Sequence, residues 1–74
     1  METIHLQGIG RCKAKKASEL RVGDILSWNY SPLGFEVIEI SDSSKSFITI
    51  IERDRDSGKE YTRRLKKDRL VASE

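Results

Sequence analysis

Short apolar clusters separated by polar turn signals run the whole length of the chain. The turn signals stand at Gly8-Ile9-Gly10, Val22-Gly23-Asp24, Ser31-Pro32-Leu33-Gly34, Ser41 to Ser46, and Asp54-Arg55-Asp56-Ser57-Gly58. Glycine supplies positive φ, proline presets a turn position, and Asp and Ser hydrogen-bond their own backbone. Their spacing of about 10–12 residues is that of a small all-β domain. Between them lie runs rich in Ile, Val, Thr and aromatic residues, which suit a half-buried pleated surface. The pattern predicts strands near 3–8, 24–30, 35–41, 46–54 and 59–66, with a short last strand near 69–72.

Helical signals are sparse. Ala17-Ser18-Glu19-Leu20 suits a single turn with Leu20 as its apolar anchor. Residues 59–70 offer the main rival to a strand, because Tyr61, Leu65 and Asp68 lie at near-helical spacing. Tyr61, Arg63 and Leu65 also alternate, and Tyr61-Thr62 favours strand, so strand is preferred. The alternation elsewhere is not clean. Ile48 and Ile50 oppose Phe47, Thr49 and Ile51, while Leu26, Trp28 and Tyr30 oppose Ile25, Ser27 and Asn29. Two apolar faces on one strand suit a small, strongly bent barrel, or a strand with one face in a partner. The expected fold is all-β: a five- or six-stranded SH3-like barrel forming one domain over residues 1–74. Leu20, Val22, Ile38, Ile40, Ile48 and Ile50 are its expected core.

Length and charge narrow the function. A chain of 74 residues is one domain at most. Its expected stability is about 4–11 kcal/mol at roughly 0.05–0.15 kcal/mol per residue. That excludes a two-domain enzyme and a large enclosed cofactor site. Charged residues make up 35% of the chain, yet 14 Lys and Arg face 12 Asp and Glu, for a net +2. The charge is segregated. Residues 11–21 carry Arg11, Lys13, Lys15, Lys16 and Arg21 against Glu19, and residues 59–70 carry six cations against Glu60 and Asp68. Each of these two segments is +4, and the stretch between them is −4. A fold that joins the two ends creates a basic face.

Apolar runs of two or three residues fall far short of the roughly 18–20 a membrane span needs. Met1 to His5 has neither a basic region nor an apolar one, so no signal peptide is expected. Cys12 is the only cysteine, which rules out an internal disulfide and suits a reducing cytoplasm. One His and one Cys do not make a closed zinc site. Gly8-Ile9-Gly10 lacks the third glycine and the helix of a phosphate-binding loop, so no cofactor is expected. The acid pairs Glu36/Glu39 and Asp54/Asp56 have the residue types for acid–base catalysis. Nothing in the sequence sets either pair in an apolar pocket, and no enzyme activity is expected.

The densest basic run is Arg63-Arg64-x-Lys66-Lys67-x-Arg69. As a strand it sets Arg64 and Lys66 on one face and Arg63, Leu65 and Lys67 on the other. Such a run neutralises phosphates, and it also serves as a charged edge that resists aggregation. The candidate ligand-binding residues are Lys15, Lys16, Arg63, Arg64, Lys66 and Lys67, with Trp28 or Tyr30 stacking on bases. Trp28, Tyr30, Phe35 and Tyr61 equally serve a small core short of large side chains.

Ala17-Ser18-Glu19-Leu20-Arg21-Val22-Gly23-Asp24-Ile25-Leu26 resembles the entry into SH3-like and related small β-barrels, where "L-x-V-G-D" leads into a strand. Trp28-Asn29-Tyr30, Phe35 to Ile40, Ser57 to Arg64 and Leu70-Val71 extend a resemblance to small bacteriophage proteins of Gram-positive and actinobacterial hosts. That resemblance implies a phage-encoded module acting in the cytoplasm of a bacterial host, and implies no catalytic residues. The expected function is a non-enzymatic binding module whose basic face engages nucleic acid or another polyanion. The alternatives are a host-takeover or counter-defence protein that binds a host protein or a small anionic signalling nucleotide, and a minor structural component of an assembly. A homo-oligomer is a further expectation, because domains this small gain stability by assembling.

Overall fold

A computed structural model describes residues 2–74. Seven strands follow one another: β1 (Glu2–Leu6), β2 (Gly10–Lys16), β3 (Ile25–Trp28), β4 (Ser31–Asp42), β5 (Phe47–Asp54), β6 (Glu60–Lys66) and β7 (Leu70–Ser73). A 3₁₀ turn at Ala17–Glu19 is the only helical element among the described residues. All ladders are antiparallel, and they form one sheet in the order β1-β2-β7-β3-β4-β5-β6. The fold is therefore all-β, with seven strands in place of the five or six expected. The sheet is open: β1 and β6 are its two edges and share no ladder.

The sheet nonetheless curls over a single core. Ala17, Leu20, Leu26, Val37, Ile48, Ile50, Leu65 and Val71 form one buried cluster, drawn from strands at distant places in the sheet order. The curl is fastened behind β2. Ala17 N donates to Arg69 O at 2.8 Å, and Ser18 N donates to Lys67 O at 3.0 Å. These bonds tie the 3₁₀ turn to the β6–β7 turn. They bring the basic end of β2 against the basic end of β6, while Lys15 and Lys16 pair with Val71 and Leu70 of β7.

Strand β2 has no counterpart in the sequence-based reading. Lys, Arg, Ala and Cys have weak strand preference, so Arg11 to Lys16 carries no local strand signal. Pairing with β1 on one side and β7 on the other imposes the extended form.

The β3–β4 turn is also displaced. It is expected at Ser31–Gly34, but the chain reverses at Asn29-Tyr30, and Trp28 pairs with Ser31. Tyr30 takes the left-handed φ of 63° at this reversal, and its N–H donates to Gln7 O at 2.8 Å. The Asn29 side chain accepts from Gln7 N at 2.9 Å, fastening the same reversal to the β1–β2 turn. Gly8 is required there: with φ +79°, it lies under the Tyr30 ring, where a Cβ would stand 2.2 Å from Cδ1.

Three of the expected core residues, Val22, Ile38 and Ile40, are not buried as expected. Val22 is 65% exposed, because Arg21 to Asp24 form a tight turn in which Asp24 N donates to Arg21 O at 3.0 Å. The turn aims Val22 outward and leaves Leu20 as the anchor. In β4 the register shifts between Val37 and Glu39, so Ile38 is the extra residue of a β-bulge. The bulge puts Val37 fully inside before it, and Ile38 and Ile40 are left half-buried. Leu20, Ile48 and Ile50 are buried as the pattern requires.

The β5–β6 hairpin loop is held by Asp54. Its Oδ1 accepts from Asp56 N at 2.8 Å and Ser57 N at 3.3 Å, while Gly58 N donates to Asp54 O and Gly58 adopts φ +76°. The bonds from Asp56 and then Ser57 favour the ionised carboxylate and hold the Asp54 pKa below its ordinary value of 3.8. A carboxyl with a depressed folded pKa contributes stability above its unfolded pKa and loses it as pH falls through the folded value. Acid titration of the folded state should therefore show a loss below about pH 4 that Asp54→Asn diminishes. Superimposable acid-unfolding curves for the two proteins would contradict this role.

Candidate functional site

Strand β6 is exposed along its whole length except at Leu65. Its pairing with β5 fixes which side chains share a face. Leu65 lies opposite Ile48 and Arg63 opposite Ile50, so both belong to the core side. Arg64 lies opposite Thr49 and Lys66 opposite Phe47, on the outer side. The division of the basic run between two faces is the one its alternation implies.

On the outer side, the Arg64 guanidinium stacks over the Phe47 ring, 4.1 Å from its centroid. Phe47 and Lys66 also line a groove of about 590 Å³ with Ser46, Lys67 and Asp68. Lys67 is engaged within the chain, through an ion pair with Asp42 at 3.0 Å. Among the described residues, Arg64 and Lys66 have no carboxylate partner.

On the core side, Glu52 is buried completely. Its Oε1 accepts from Trp28 Nε1 at 2.8 Å, and its Oε2 pairs with Arg63 Nε at 2.5 Å. The Arg63 guanidinium then lies over the Trp28 ring, 4.3 Å from its centroid, and that of Arg69 stands 5.7 Å from the same centroid. Phe35 and Tyr61 make an edge-on contact at 6.1 Å, and Tyr61 opposes Glu52 across the ladder. A buried carboxylate is costly unless both oxygens are satisfied, and here the indole and the guanidinium satisfy one each.

The remaining candidates scatter. Lys15 forms an ion pair with Asp24 at 2.7 Å, and Lys16 is exposed beside the 3₁₀ turn. Tyr30 is 72% exposed, but its ring covers Gly8 at the β1–β2 turn. Among the described residues, no cation–π contact joins it to the β6 cations. The structure thus gathers Trp28 with Arg63, holds Arg64 and Lys66 on the opposite face, and keeps Lys15, Lys67 and Tyr30 in contacts of their own. Two participants were absent from the candidate set. Arg69 belongs to the basic run but not to its strand alternation. Glu52 was legible as the third term of Ile48-x-Ile50-x-Glu52, a carboxylate on a core-facing stripe.

A second cavity of about 340 Å³ is lined by Ile9, Cys12, Pro32 and Leu33 among others. Cys12 and Ser27 at that cavity are both occupied, by Gly10 O and by Leu33 N. Among the described residues, no three His, Cys, Asp or Glu side chains come together to hold a metal ion. No helix there is long and apolar enough to cross a membrane. Comparison with protein-family models, curated proteins and solved structures finds no match to this chain.

Proposed function

We propose that the chain is a small non-enzymatic binding module that engages nucleic acid or another polyanion through the cations of β6 and the turn that follows it. The observation that supports this most is an exposed edge strand whose Arg64 and Lys66 have no carboxylate partner among the described residues and flank an aromatic ring and a groove. An arginine stacked on an aromatic ring is already ordered, so little freedom is lost when it meets a phosphate. We read the curled sheet as an SH3-like arrangement left open between β1 and β6, which keeps the basic strand accessible. The resemblance to small bacteriophage proteins supports a bacterial cytoplasm as its place of action.

Replacing Arg64 and Lys66 together with Gln tests the reading. Exposed charges contribute little to stability, so the fold should persist. Affinity for single-stranded RNA or DNA should fall. The slope of log affinity against log salt should become shallower by about one for each cation removed. Gel-shift titrations at two salt concentrations measure both quantities. Wild-type protein that binds neither RNA nor DNA at low salt would end the nucleic-acid reading.

A further inference from the structure

The contacts of Arg63 leave part of its guanidinium unused. Glu52 engages only Nε, so the two terminal amino groups have no protein acceptor among the described residues. Arg69 is exposed and has no carboxylate partner among the described residues. Both guanidinium groups stand over one indole ring, at 4.3 and 5.7 Å from its centroid. A guanidinium fastened through Nε and stacked on a ring presents its planar Nη edge in a fixed direction, and that edge matches two oxygens of a phosphate. Both cations lie against the same ring, so Trp28 serves to align guanidiniums.

The burial of Glu52 supports the same conclusion. An apolar side chain at this buried position of β5 would avoid desolvating a carboxylate. What the carboxylate adds is geometric: it fixes both the indole and Arg63 from below. We infer that Arg63 and Arg69 clamp one phosphate group beside Trp28, with Glu52 as the positioning residue that orients Arg63. The inference rests on the polyanion reading and adds to it a defined subsite on the core-side face of β6, opposite Arg64 and Lys66. The phosphate is either a diester of a nucleic-acid backbone or a terminal monoester.

Trp28 is the only tryptophan, so its fluorescence reports on the clamp directly. Titration with inorganic phosphate should change the emission saturably, whereas sodium chloride at matched ionic strength should not. Arg63→Lys and Arg69→Lys keep the charge but lose the fork, and each should weaken phosphate binding by roughly tenfold. Glu52→Gln keeps an acceptor for Trp28 Nε1 and releases Arg63. It should weaken phosphate binding while circular dichroism shows the fold intact, and the two lysine variants carry the test if it does not fold. A 5′-phosphorylated and a 5′-hydroxyl single-stranded DNA separate the two sources. Preference for the phosphorylated strand that Arg63→Lys abolishes assigns a monoester; equal binding that Arg63→Lys weakens equally assigns the diester. Lysine variants that match wild type on phosphate and on both strands overturn the clamp. If wild type still binds the strands in that case, the polyanion reading survives it. A phosphate response without strand binding has the opposite meaning, a clamp that serves a small phosphorylated ligand.

Discussion

Ile50→Ala should remove much of the folded population. Ile50 is completely buried at the centre of β5, between Ile40 of β4 and Arg63 of β6. Truncation removes three carbon atoms and leaves a cavity that a hydrogen-bonded sheet cannot close by moving one strand. Buried Ile-to-Ala changes cost about 2–5 kcal/mol. The whole domain is worth only about 4–11 kcal/mol on its length. Urea unfolding should show a midpoint shifted far toward zero denaturant, with an unchanged slope if the transition stays two-state. Ile38→Ala supplies the contrast. Its side chain is half-buried at the bulge, so less apolar surface is lost. Equal midpoints for the two variants would mean that the bulge does not divide β4 as described.

The sequence carried most of the strand positions, because β3 through β7 are bounded by turn residues and filled with β-prone side chains. It did not carry the number of strands. Arg11 to Lys16 becomes β2 only through its neighbours β1 and β7, and such long-range pairing leaves no local mark. The bulge was equally silent: Val37-Ile38-Glu39-Ile40 reads as ordinary alternation, yet one extra residue moves the buried position from Ile38 to Val37. Tyr30 shows why the turn was misplaced. Pro32 and Gly34 are the stronger turn formers, but the chain reverses where Gln7 and Gly8 receive Asn29 and Tyr30. The two faces of the basic strand could be read from Arg63 to Lys66. Which cations are already paired could not, because Asp24 and Asp42 reach Lys15 and Lys67 from other strands and turns.

Arg63→Met should destabilise the protein far more than its exposed position suggests. The side chain is 42% exposed, and a cation at such a site ordinarily contributes about 0–1 kcal/mol. Its partner is different, because the Glu52 carboxylate is 0% exposed. Without Arg63, one carboxylate oxygen loses its donor and the buried charge loses its counter-ion. Stranding a buried charge in this way costs about 3–5 kcal/mol. Arg64→Met, one residue further along, serves as control; that cation lies over Phe47 on the outer face, and its removal should cost less than about 1 kcal/mol. Adding Glu52→Leu to Arg63→Met removes the stranded charge and should restore most of the loss. The deficit that remains should be about 1 kcal/mol, from the Trp28 Nε1 hydrogen bond that no longer forms. Denaturant midpoints for both single variants, the Arg63→Met/Glu52→Leu double variant and the Arg64→Met control complete the comparison. If Arg63→Met is as mild as Arg64→Met, water reaches Glu52 and the carboxylate is not sealed. If the double variant is as unstable as Arg63→Met alone, the loss comes from packing against Trp28 rather than from the unpaired charge.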